Sequence, residues 1–123
     1  MQSTINIQVD TQYIYEQSFP KDKRYAFAYT IAISNLGAEA VQLLSRSWII
    51  TDANEKVQEV QGEGVVGVQP VIKPGESFTY TSGCLLETAH GTMKGSYQML
   101  SDSGHSFDAE IPCFTLIYPG ALH

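Results

Sequence analysis

Residues Arg24 to Asn35 read RYAFAYTIAISN, and this stretch decides the fold. Tyr25, Phe27, Tyr29, Ile31 and Ile33 alternate with Ala26, Ala28, Thr30, Ala32 and Ser34, large against small. A period of two places the five large residues on one face of an extended chain, so the segment is a strand with one side in a core. No segment sustains an apolar stripe at 3.6-residue spacing, and little or no α-helix is expected.

The same pattern continues outward. Asn35-Leu36-Gly37 offers a turn, after which Val41 to Asp52, VQLLSRSWIITD, restarts a β-branched and aromatic run; the two strands read as a hairpin. Asp52 to Glu55 is a second turn signal, and Lys56 to Val60 alternates again before the glycine-rich QGEGVVGVQP, Gln61 to Pro70. Lys73 to Glu76 carries Pro and Gly in the order of a type II turn, followed by Ser77 to Cys84 with Phe78, Tyr80 and Ser82 on one face. Beyond His90-Gly91, the segment Thr92 to Leu100 sets Met93, Gly95, Tyr97 and Met99 on one face. Ser101 to Gly104 turns the chain into His105 to Tyr118, a last strand pair or one bulged strand interrupted by Pro112, and the tail Pro119 to His123 is expected to be loose. About seven strands with a turn every eight to twelve residues predict an all-β, antiparallel sandwich of immunoglobulin or fibronectin type III character, with residues 1–123 as one domain.

Composition narrows the partners. Thirteen acidic against seven basic residues give a net charge of −6, which opposes polyanions, so nucleic acid is not an expected partner. The N-terminal stretch has neither a basic region nor an apolar run, and no window approaches the ~18 apolar residues of a membrane span; no membrane insertion and a cytoplasmic location are expected. Cys84 and Cys113 lie in strand-like segments without a C-x-x-C pattern, which predicts two buried, reduced thiols.

GEGVVG, Gly62 to Gly67, matches the G-x-G-x-x-G pattern of dinucleotide loops letter by letter. That pattern works by delivering a pyrophosphate to a helix N-terminus, and here Pro70 and Pro74 follow in an all-β setting that supplies no helix. Glu87, the acidic residue nearest the expected ribose position, has no second Rossmann strand to present it. Glycines within β segments permit bulges and left-handed backbone, with Val65 and Val66 as a core plug. Gly62, Glu63, Gly64, Val65, Val66, Gly67 and Gln69 form the candidate binding loop, whose amides offer a further reading as a small-anion site.

Other chemistry is sparse. His90, His105 and His123 are the imidazole bases, all placed in turns or the tail and without a triad motif. Asp52, Glu55, Glu59 and Glu63 form an acidic series around one hairpin, hard oxygen ligands that could hold a divalent cation weakly or simply protect a sheet edge. Trp48 is expected in the core. Arg46 shares its face and needs a carboxylate, carbonyls or a ligand; a structural ion pair with Glu63 is the preferred reading.

Gln42 to Thr88, Gly91 to Leu100 and Phe107 to Leu116 together resemble the bacterial ApaG family, through the blocks S-R-x-W-x-I-x-D, V-x-G-x-G-V-V-G, P-G-x-x-F-x-Y-x-S-G and G-x-M-x-G-x-Y in order. The resemblance implies a fibronectin type III-like sandwich. It also implies kinship with domains of certain F-box proteins and of a polymerase-delta-interacting protein that serve protein contacts, and a bacterial association with cobalt and magnesium resistance or efflux. It carries over no catalytic residues and no cofactor. Ser47 stands where many relatives have His, and Cys113 where Ala is usual. The expected function is a noncatalytic module that binds an as yet unidentified protein; the alternative is a small-anion or divalent-metal binder using the glycine loop and acidic hairpin, with a nucleotide or phosphoester hydrolase ranked last.

Overall fold

The computed structural model describes residues 4–121. Eight strands form: β1 (Ile5–Tyr13), β2 (Tyr25–Asn35), β3 (Val41–Asp52), β4 (Val57–Glu63), β5 (Val71–Ile72), β6 (Ser77–Leu86), β7 (His90–Ser101) and β8 (Ser106–Ile117). They make two antiparallel sheets, β1-β2-β6 and β4-β3-β7-β8, with β5 continuing the β4 edge along the start of β3. The helical content among the described residues is three short 3₁₀ turns, and no helix is long and apolar enough to cross a membrane.

The alternation in β2 does what the sequence requires. Phe27, Tyr29, Ile31 and Ile33 are buried against Leu43, Trp48, Met93, Tyr97, Met99, Ile111 and Leu116 of the facing sheet. Each such side chain contributes roughly 1.5–3 kcal/mol by leaving water. On the outer face of the smaller sheet, the Thr30 hydroxyl meets that of Thr81 at 2.8 Å and Ser34 meets Ser77 at 2.7 Å, so polar cross-strand pairs hold the same register from outside. Trp48, 3% exposed, packs edge-on against Tyr29, Tyr97 and Phe114 at the centre of the sandwich. The Tyr80 and Tyr97 hydroxyls meet at 2.5 Å and join β6 of one sheet to β7 of the other.

The expected hairpin of β2 and β3 does not form, because the two strands lie in different sheets. Buried Asn35 explains the crossing. Its Nδ2 donates to the Glu39 and Ile72 carbonyls at 2.7 and 2.9 Å, while its Oδ1 accepts the Gly37 amide at 2.9 Å. A corner replaces the tight turn, and the large faces of β2 and β3 meet across the core.

Eight strands form against about seven expected, and two of them lie outside the segments read as strands: β1, whose second half is mostly polar and exposed, and β5, too short to show a period. The Lys73 to Glu76 turn forms as read, with Gly75 at φ 82° after Pro74. His105 to Tyr118 becomes one bulged strand, since Met93 pairs Phe114 while Gly95 pairs Ile111 and leaves Pro112-Cys113 opposite Lys94. The bulge turns Cys113 outward, so it is exposed rather than buried; Cys84 is half-buried, and both thiols are free. Tyr118, just before the tail, packs on Tyr13 and Tyr25; within the tail Pro119–Ala121 form a 3₁₀ turn, while His123 lies outside the described residues.

Candidate functional site

The glycine stretch is a β-turn that ends the β4 edge. Val65 and Val68 exchange both main-chain bonds, N to O at 2.8 Å and 3.0 Å, across a two-residue turn of Val66 and Gly67. Both central residues have positive φ, 41° and 84°, the geometry of a type I′ turn. Such a turn suits Asn-Gly. A β-branched residue in its first position is strained by roughly 1–2 kcal/mol, a cost that concentrates at functional segments. Val65 is 1% exposed and plugs the core as expected, whereas Val66 does not: it is 59% exposed.

Arg46 organises the base of this turn. It pairs with Gly62 across β3 and β4, and a Cβ on Gly62 would stand 2.8 Å from Nη1, so the glycine gives the guanidinium room to lie over the strand. Nη1 donates to the Glu63 carbonyl at 3.1 Å and the Gly64 carbonyl at 2.9 Å. The expected ion pair with the Glu63 carboxylate is therefore replaced by main-chain carbonyls, and among the described residues the ion pair is Lys56–Glu87 at 3.4 Å. Gln69 supports the loop from its other side, its Nε2 donating to the Leu44 carbonyl at 2.9 Å. The amides of Gly64, Val65 and Val68 are all bonded to main-chain carbonyls, so three of the donors that an anion cradle would use are engaged.

Beside the turn lies a cavity of about 280 Å³. Tyr29, Trp48, Val65 and Tyr80 line its buried side, Arg46 and Ser82 its walls, and Glu63, Val66 and Gly67 its rim. Burial raises the Tyr29 phenol above its ordinary range and pushes Tyr80 up to about 12; hydrogen bonding to Ser82 and to Tyr97, respectively, opposes these shifts, with Arg46 adding a smaller pull in the same direction. Both phenols are protonated at neutral pH. Along the outside of the same edge, Val57, Val60, Val66, Val68 and Val71 are exposed.

The other candidate groups do not converge. The Asp52 carboxylate accepts the Asn54 and Lys56 amides at 2.8 and 2.9 Å and so closes its hairpin. Glu59 and Glu63 stand on one face of β4 with Gln61 between them, and among the described residues no three His, Cys, Asp or Glu side chains gather around a point. His90 opens β7 rather than sitting in a turn, and His105 follows its far end, roughly 35 Å away at ~3.3 Å per strand residue. Of the candidate loop residues, Gly62 and Glu63 end β4, while Gly64, Val65, Val66, Gly67 and Gln69 lie in and beside the turn; Tyr29, Tyr80 and Ser82, which also line the cavity, are not among the residues that the sequence singles out for a site. Their signal was the inward face of β2 and β6, which looks like ordinary core until the sheets are paired. The valine edge had a plainer signal: Val57, Val60, Val65, Val66, Val68 and Val71 crowd fifteen residues, too many for one inward face.

A family model described as the ApaG domain matches residues 15–101. Protein ApaG of Thiobacillus denitrificans is 60% identical over 119 residues, covering 97% of this chain and 94% of its own length. Protein ApaG of Pseudomonas paraeruginosa is 57% identical over 122 residues, covering 99% and 97%. Among solved structures, an X-ray structure of a structural-genomics target superposes with a TM-score of 0.94 at 52% identity, over 99% of this chain and 92% of that one. A crystal structure from Bordetella pertussis gives a TM-score of 0.91 at 49% identity over 94% of both chains.

Proposed function

The chain belongs to the ApaG domain family, and on that premise we propose that it is a noncatalytic β-sandwich module that binds a partner protein along the edge made by β4, the glycine turn and β5. One observation carries the reading. Among the described residues the seven of β4 pair with β3 alone, so the strand lies at the sheet edge; with the turn and short strand that follow, this edge displays five exposed valines, two from β4 and three beyond it. Edge strands are normally protected by charges, Pro, bulges or a covering element; β4 carries Glu59 and Glu63 but no Pro, Lys or bulge, so its protection is limited to two carboxylates on one face. Strand addition supplies main-chain bonds, while the valines supply apolar contact. The strained Val66 supports the same reading, since a more comfortable residue would fold better there.

In this reading the module works in the cytoplasm, consistent with two free thiols. Any link to cobalt or magnesium handling runs through the partner, since Asp52, the hairpin's best placed carboxylate, is committed to its own turn. Affinity capture with the wild type and a Val66→Asn variant tests the edge. Asn tolerates the left-handed conformation, so the variant is expected to melt at a higher temperature, by the equivalent of about 1 kcal/mol, while losing the captured protein. Equal capture by both proteins would remove the edge as the interface.

A further inference from the structure

We propose that the cavity between β6 and the glycine turn is a carboxylate pocket, in which Arg46 and Ser82 hold a small monocarboxylate over the Tyr29, Trp48 and Tyr80 rings. Arg46 is the basis of the assignment. It is half-buried, it has no carboxylate partner among the described residues, and both of its hydrogen bonds come from one nitrogen, Nη1. A guanidinium carries five donors in a planar fork matched to a carboxylate, and a partly desolvated one left without a counter-charge is costly. The two carbonyl bonds fix its orientation in advance, and the missing side chain of Gly62 gives it the room to lie there. An incoming carboxylate thus meets a positioned donor.

The rest of the cavity sets the class of ligand. Its volume of about 280 Å³ suits a small molecule; Tyr29, Trp48 and Tyr80 close its floor but are almost fully buried, so the surface it offers is mainly polar and fits a short acid held by its carboxylate. Ser82 adds a hydroxyl on the wall, next to phenols that keep their protons at neutral pH. Glu63 at the rim and a net charge of −6 disfavour a second negative charge, so a monoanion is preferred over a phosphate dianion. The pocket goes beyond the edge reading: it is filled whether or not a strand adds to β4.

Trp48 is the single tryptophan of the chain and lies in the cavity wall, so its fluorescence reports occupancy. Titration of the wild type with butanoate is expected to give a saturable change with a dissociation constant on the order of a millimolar, the affinity open to a few polar contacts on a small ligand. Butanamide, the neutral analogue, and inorganic phosphate should give none at the same concentrations. Arg46→Lys keeps the charge but loses the fork and should weaken butanoate at least about tenfold. If that variant fails to fold, Ser82→Phe fills the cavity from β6 and should abolish the change. A capped Gly-Glu-Gly peptide separates the two sources of the group: tighter binding than butanoate assigns the pocket to an acidic side chain, looser binding to a free acid. A flat titration up to about 100 mM butanoate, far above the expected constant, an equal response to butanamide, tighter binding of phosphate, or undiminished binding by the Ser82→Phe variant would overturn the proposal.

Discussion

Replacing Tyr97 by phenylalanine removes one end of the hydroxyl bond that joins the two sheets. Tyr97 is 0% and Tyr80 6% exposed, so the hydroxyl left behind has no easy access to water. Losing a bond and stranding its partner costs about 1–3 kcal/mol, and Tyr80→Phe should cost a similar amount for the mirror-image reason. Replacing both tyrosines removes both polar groups from an apolar layer. The double variant should therefore lose about 1 kcal/mol or less, giving a coupling of about 1–5 kcal/mol between the two sites. Urea unfolding at pH 7, followed by Trp48 emission, measures all four proteins.

The same pair sets an alkaline limit. Burial pushes Tyr80 from 10.0 to about 12, and burial with the neighbouring Tyr80 phenol pushes Tyr97 higher still. The folded protein therefore holds these protons more tightly than the unfolded chain does. Stability is complete below pH 10 and falls as pH rises above 10 toward the folded values; Tyr80 alone accounts for on the order of 3 kcal/mol at ~1.36 kcal/mol per unit. In the double phenylalanine variant that loss should largely vanish, with a remainder from Tyr29 and Cys84, which burial also raises. Strictly additive costs at pH 7, or an unchanged alkaline loss in the double variant, would refute the account of the pair as one buried, mutually satisfied unit.

Asn35→Ala removes three hydrogen bonds of a buried side chain, one fully and two partly buried, at the crossing between sheets and should cost about 2–4 kcal/mol by urea unfolding, whereas Ser34→Ala on the outer face should stay within about 1 kcal/mol. A thiol reagent added to native protein near pH 8 should label one cysteine quickly, Cys113 at the bulge. Cys84, half-buried and with its thiol pushed up to about 11, should react only on unfolding, as mass spectrometry of the labelled peptides would show.

The fold class was legible because β2, β6 and β7 each carry a bare period of two over most of their length, with β6 showing it from Ser77 to Cys84. Pairing was less so. Asn35-Leu36-Gly37 has turn chemistry, but whether a turn closes a hairpin or leads to the opposite sheet depended on the carbonyls of Glu39 and Ile72, which no local pattern announces. In the site, the glycines and Arg46 were visible as residue types. What the guanidinium bonds to was not, because Glu63 could receive it through either its carboxylate or its carbonyl. The exposure of Cys113 likewise followed from a bulge that shows only once β7 and β8 are in register.

The pairing of β2 with β6 has a consequence in time. Thr30 meets Thr81 across 51 positions and Ser34 meets Ser77 across 43, so the smaller sheet closes only when distant chain arrives. Such non-local topologies fold in milliseconds to seconds rather than microseconds. During synthesis the delay is longer: β1 and β2 are complete about 50 residues before β6 is, which is about 3–10 s at 5–20 residues per second. Over that interval β1 and β2 leave Phe27, Tyr29, Ile31 and Ile33 uncovered on a two-stranded ribbon, an arrangement only marginally stable by itself until β6 and the facing sheet arrive.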